Sequence, residues 1–403
     1  MLHKNNIINS FIFFFNYIIQ MNSSNSNLPF PAPDRRTMNR QPIDSTQSPQ
    51  ESPFKHFSEN NSQVPNSINL SSEKSDFEKI NNLNIVKQKH IEDMRKNILS
   101  FKLLSDKAMF MPSNSKSLNV NKCNVILFGP SGSGKSSFIK SLYRALYNNI
   151  YLPPEAVKKL IIKNTYENEG TLCFTRLHLK EEDKSSSGII MCDTRGHIRM
   201  NEDEKEQFKI LLTGKVKEDV KIEQRPSRNP LALWEFWKKD SELFPKEIFN
   251  ANEPGIESIP HAIVFVFDGS SDDVIDPDDE TFYKDLVNIS KRKGYTNIHV
   301  VLTRIDLFEK MANEKNKVLP STERSTKVNT LKDEKIEKVI DVLGVSRSDI
   351  HFIENYHSEN KKENNLEIDY HLLKTLGDIT NACEMFILSY LNKNETCFGC
   401  FNN

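Results

Sequence analysis

From residue 121 onward, short apolar runs at 125–128, 172–179, 189–192, 262–267, 298–302 and 351–353 alternate with stretches whose apolar residues recur at helical spacing. That alternation predicts a mostly parallel β-sheet with helices on both faces. Upstream, Ile91, Met94, Ile98 and Leu99 lie at helical intervals within 78–118, so a helix leads into the domain. At the other end, the apolar spacing across 372–391 predicts a closing helix, and residues 394–403 are left as a tail. Turn-forming clusters at 224–229 (QRPSRN) and 252–255 (NEPG) punctuate an insertion at about 215–258. A helical segment carrying Trp234 and Trp237 is expected within it, over 231–249. The main domain is therefore expected to span 119–393.

The first part of the chain has a different pattern. Residues 21–77 are rich in Ser, Asn, Pro and Gln with isolated phenylalanines, a composition that cannot bury enough surface to offset chain entropy, so a disordered tail is expected. Residues 7–19 are apolar but are interrupted by Asn9, Ser10 and Asn16, and a bilayer span takes about 20 apolar residues. Residues 1–20 are thus read as a dispensable extension, with Met21 as an alternative start; a signal or membrane anchor is the competing reading.

Composition changes this picture little. Apolar residues make up 37% and charged residues 27%, in keeping with some length outside any core. Fifty-four Lys and Arg balance 55 Asp and Glu, so no net field draws the chain to nucleic acid or to an anionic membrane, and binding must come from a local site. The six cysteines are scattered, which suits a reducing, cytoplasmic compartment. Cys397 and Cys400 have the spacing of a metal half-site, but no second ligand pair accompanies them.

The chemistry begins after the first strand-like run. Gly129-Pro130-Ser131-Gly132-Ser133-Gly134-Lys135-Ser136-Ser137 fits G-x-x-x-x-G-K-S between a predicted strand and a helix with Phe138, Leu142 and Leu146 on one face. Glycines let the backbone wrap a phosphate, and the amides and helix N-terminus attract the anion. Lys135 reaches the outer phosphates and Ser136 can ligate Mg2+. With only 13 glycines among 403 residues, chance placement of all four specified residues in this context is remote.

Three further segments extend that loop into a nucleotide site. The run at 188–196 (GIIMCDTRG) ends in D-x-x-G, where Asp193 can hold Mg2+ through water and the Gly196 amide can approach a terminal phosphate. His197 follows at the position where some GTPases keep a water-orienting side chain; a loop histidine without catalytic function is the competing reading. A threonine that closes on the metal is expected between these motifs, Thr171 or Thr175, with Thr171 preferred. Finally, Thr303-Arg304-Ile305-Asp306 is a variant of the guanine-reading N-K-x-D motif. Its Asp306 carboxylate could accept both N–H bonds of guanine, whereas Thr303 stands where the motif has Asn.

Together GPSGSGKSSF, IIMCDTRG, HAIVFVFDGSS, VVLTRIDLF and DVLGVSRSDIHFIENYHSE resemble the interferon-induced protein 44 family, over residues 91–391. The resemblance implies a cytosolic G-like domain, GTP binding through 129–137 and a role in defence or immune responses. By position it also implies that Asn355 and Tyr356 lie near the base. His197 departs from the apolar residue usual in that family after D-x-x-G.

These readings converge on an α/β fold, a three-layer P-loop NTPase of the Ras-like G-domain kind. The expected cofactors are GTP or GDP with Mg2+, and the expected activity is a nucleotide switch with slow hydrolysis, read by a protein effector or a second copy. Two alternatives stay open: an interaction or scaffold protein that holds nucleotide without turnover, and an ATP-using P-loop enzyme.

Overall fold

A computed structural model describes residues 70–105, 120–149, 151–162, 173–181, 183, 187–221, 248–250, 254–357 and 364–399. Seven strands form one sheet in the order β4-β2-β3-β1-β5-β6-β7. They are β1 (Lys122–Phe128), β2 (Cys173–Lys180), β3 (Gly188–Asp193), β4 (Val220–Lys221), β5 (Ala262–Asp268), β6 (Ile298–Thr303) and β7 (Ile350–Phe352). The central pairs β3–β1, β1–β5, β5–β6 and β6–β7 are parallel; β2 runs antiparallel to β3 and to the two-residue β4.

The central strands are mostly apolar because both faces are covered. Side chains alternate across a strand, so each run divides between two cores. In β5, Ile263, Phe265 and Phe267 enter one core, while Ala262, Val264 and Val266 enter the other. The helices are α1 (Leu70–Leu99), α2 (Lys135–Tyr147), α3 (Glu202–Leu211), α4 (Glu280–Arg292), α5 (Ile305–Lys315), α6 (Ser321–Leu343) and α7 (Leu366–Gly399). The first core takes Phe208 and Leu211 of α3, Tyr283 and Leu286 of α4, and Val339 and Val342 of α6. The second takes Ile91 and Ile98 of α1, Phe138 and Leu142 of α2, and Leu372, Leu376 and Ile379 of α7. The result is a three-layer α/β sandwich, as the alternating pattern predicts.

Several boundaries differ from the pattern. Helix α1 begins at Leu70, inside the segment expected as tail, and α7 runs from Leu366 to Gly399, past the expected limits on both sides. The interior of the insertion, its two tryptophans included, lies outside the described residues, as do residues 1–69, Thr171 and Cys400. At the insertion's edges Val216 bridges Phe249 and β4 pairs with β2, so these flanks extend the sheet margin. No helix among the described residues is long and apolar enough to cross a membrane.

Helix α1 is fastened to the domain by charge as well as by packing. Arg95 Nε donates to the Ala145 carbonyl at 2.6 Å, and Nη2 pairs with Asp369 of α7 at 2.5 Å. Asp369 also accepts from the Tyr356 hydroxyl at 2.8 Å, and the Arg144 guanidinium lies 3.8 Å from the centre of the Tyr356 ring. This buried chain of contacts runs from α1 to the loop after β7, one of the loops that shapes the site.

Candidate nucleotide site

A cavity of about 520 Å³ opens at the C-terminal ends of the central strands, where ligands of open α/β sheets bind. Its walls bring together two sets of residues far apart in sequence. Ser131, Gly132, Gly134, Lys135, Ser136, Ser137 and Gly196 form one end, and Arg304, Asp306, Asn355, Tyr356 and His357 the other.

The phosphate end follows from the turn between β1 and α2. Gly134 has φ 94°, the left-handed region that a side chain resists, and it starts α2 directly. Gly196 comes so close to that turn that a Cβ there would lie 2.5 Å from Ser131 Cα. The Ser131 amide donates to the His197 carbonyl at 2.7 Å, which ties the loop after β3 to the loop after β1. Lys135 Nζ donates to the carbonyls of Gly129 and Pro130 at 2.9 and 2.8 Å. Burial pushes the Lys135 ammonium down to about 8, against the opposing pull of the Asp193 and Glu204 charges.

The residues expected around Mg2+ fit a hard cation. Asp193 is fully buried at the end of β3; its Oδ2 accepts from Ser136 Oγ at 2.5 Å, and its Oδ1 has no hydrogen-bond partner among the described residues. Burial raises the Asp193 carboxyl above its usual range even though Ser136 and Lys135 favour the charged form. A buried carboxylate oxygen beside a hydroxyl is the donor set a Mg2+ ion bound to phosphates uses. Thr175, the other threonine considered for the metal, sits on β2 opposite Asp193, with its side chain buried.

Several expected site residues are directed elsewhere. His197 is 1% exposed and lines no part of this cavity: its ring stacks on Phe128, and Nε2 is hydrogen-bonded to the Tyr283 hydroxyl at 2.7 Å. Burial, reinforced by the Lys135 and Arg195 charges, holds that imidazole neutral by pushing it down to about 3. Thr303 is likewise buried and donates its hydroxyl to Ser133 O at 2.7 Å, bracing the phosphate loop rather than facing the base end. Pro130 and Ser133 belong to an adjoining cavity lined by Asp268, Asp276, Asp279 and Tyr283. Arg304, at φ 58°, pairs with Asp268 and donates to Gly132 O at 3.0 Å, so it joins the base end to the phosphate end.

Sequence reasoning missed His357, which lines the base end with its Nε2 3.7 Å from Asp306 Oδ2. It directly follows Asn355 and Tyr356, and a polar ring beside those two residues is the signal the sequence offers. Also missed was the buried Arg195–Glu204 pair at 3.4 Å, which fastens the D-x-x-G loop to α3. Glu204 lies in the first turn of α3, where its amide donates to the capping Asn201 side chain at 2.9 Å.

A mostly parallel sheet with this strand order, a phosphate loop from β1 into α2, D-x-x-G after β3 and T-R-I-D after β6 define a P-loop fold of the Ras-like G-domain class. No protein-family model matches the chain, and no curated protein matches it. Among solved structures, Toc33 from Arabidopsis thaliana, in complex with GDP and Mg2+, aligns with 72% of this chain and 96% of its own at 12% identity and a TM-score of 0.37. The GTPase-like domain of Ski7 from S. cerevisiae, bound to GTP, aligns with 62% of this chain and 49% of its own at 13% identity and a TM-score of 0.32.

Proposed function

We propose that this protein is a guanine-nucleotide-binding switch. The observation that carries the proposal is one cavity with two ends: the Lys135–Ser136 phosphate cradle and the Asp306 carboxylate line the same walls. A carboxylate accepts the ring and exocyclic N–H groups of guanine, whereas adenine would set an acceptor against it. When bound, Mg2+ would screen the phosphate charges, held by Ser136 and Asp193. Binding energy at the terminal phosphate would be transmitted through Gly196 to the loop that carries Arg195 and His197. The resemblance to the interferon-induced protein 44 family supports a role in defence responses within the cytoplasm.

A second reading, nucleotide retained without turnover, is favoured by one observation. His197, the side chain expected to orient a water, is engaged with Tyr283 in the core. Calorimetric titration with GTP, GDP and ATP in Mg2+, followed by timed product analysis, tests both readings. Selective GTP binding with GDP accumulating supports the hydrolysing switch, selective binding without product supports retention, and preference for ATP overturns the base assignment. Asp306→Ala should lower guanine affinity by about 1.5–3 kcal/mol for each bond lost and relax the preference over ATP, whose opposing acceptor is gone, with the phosphate contacts intact. Full GTP selectivity in that variant would remove Asp306 from the base site.

A further inference from the structure

The base end of the cavity holds a group that the nucleotide reading does not use. Asp306, Glu354 and His357 each present one ligand atom, and the three atoms lie within 4.8 Å of one another. Asp306, in the first turn of α5, and Glu354 and His357, in the loop after β7, follow adjacent parallel strands, β6 and β7, and the two segments are clamped together by their backbones. Ile353 N donates to Leu302 O at 2.8 Å, and Ile305 N to Ile353 O at 3.4 Å. The trio is therefore held in place by sheet geometry and not by long flexible side chains alone.

The separation of Asp306 Oδ2 and His357 Nε2, 3.7 Å, is too long for a hydrogen bond. Two ligands at about 2.1 Å from a tetrahedral zinc ion stand about 3.4 Å apart, close to the spacing seen. Two carboxylates and one imidazole nitrogen balance a divalent charge and leave a fourth position for water, the pattern of an open zinc site. The nitrogen ligand selects against Mg2+ and Ca2+, which take oxygen donors. Arg304, just before α5, is engaged with Asp268 and the Gly132 carbonyl. Both Asp306 and His357 are partly exposed, with side-chain accessibilities of 36% and 42%, so an ion can enter directly from solvent.

We infer that Asp306, Glu354 and His357 form a site for a zinc-like divalent cation, and that an ion there excludes guanine by occupying the carboxylate that would read it. The exclusion rests on the guanine reading of Asp306; the metal site does not. Zinc and cobalt are titrated into the full-length chain without nucleotide, cobalt reporting coordination through its visible absorption. GDP affinity is then measured with and without zinc.

One ion should bind the parent protein, and His357→Ala and Glu354→Gln should each weaken it by about 10- to 100-fold or more. Far-UV circular dichroism of the near-isosteric Glu354→Gln checks that its fold is intact. Zinc should weaken GDP binding in the parent, and the ratio of affinities with and without zinc should approach unity in both variants. Equal zinc affinity in all three proteins overturns the metal site. Zinc binding lost in the variants with no effect on GDP in the parent overturns the exclusion. Absence of GDP binding in zinc-free protein is instead a failure of the nucleotide reading, and the metal titration still decides the site.

Discussion

Single residues decide the phosphate end. Lys135 is held near 8 by burial, below the usual lysine range, so in the folded chain it is part-deprotonated at mildly alkaline pH. A triphosphate placed beside it restores the charge, and binding should therefore take up a proton. Calorimetry near pH 8.5 in buffers of different ionisation enthalpy should show uptake approaching one proton in the parent, and Lys135→Ala should lose nucleotide binding. Gly196 is constrained by contact: a Cβ there falls 2.5 Å from Ser131 Cα and 2.8 Å from Ser131 N, both backbone atoms. Gly196→Ala should force the two loops apart at about 1–3 kcal/mol, read as a lowered denaturation midpoint together with weaker nucleotide binding. Residue identity made this end legible in the sequence, because the turn tolerates few alternatives. The direction of His197 was not legible, since it depends on Tyr283, a partner 86 residues away in sequence.

Elements follow the same division between local and distant causes. The central strands could be recognised because burial on both faces demands unbroken apolar runs, and every run from 262–267 onward matches a strand to within a residue or two. Strand direction leaves a fainter mark: β2 is antiparallel, and its apolar Phe174, Leu177 and Leu179 are interleaved with Arg176, His178 and Lys180, the alternation of an antiparallel strand and not the unbroken run of its parallel neighbours. Thr303 also eluded the sequence, because only the packing of β6 against the phosphate loop turns its hydroxyl toward Ser133. Helix α1 shows what distant contacts add, since Arg95 joins it to both α2 and α7. Removing one member of a buried ion pair costs about 3–5 kcal/mol because the other charge is stranded. Arg95→Ala should lose stability of that order, and the Arg95→Ala/Asp369→Ala pair should lose less than the sum of the two single changes. Urea denaturation of the four proteins measures the coupling, and additive losses would show that the pair does not act as a unit.

Across the whole molecule, buried histidines link stability to pH. Burial pushes the imidazoles of His197, His261 and His351 down from 6.5 to about 3, 4 and 3. These groups are neutral in the folded chain but charge freely once it unfolds. Between pH 6.5 and about 4 the unfolded state therefore binds more protons, and unfolding free energy falls as the pH is lowered. Three such groups give a slope of at most about 4 kcal/mol per pH unit, large against a typical domain stability of about 5–15 kcal/mol. Burial raises the Asp193 and Asp369 carboxyls, which act in the opposite sense by binding protons in the folded state first. Urea denaturation at intervals from pH 7 to pH 5 should show a falling midpoint with an unchanged m-value, and a flat profile would mean that these histidines carry their protons in the folded protein.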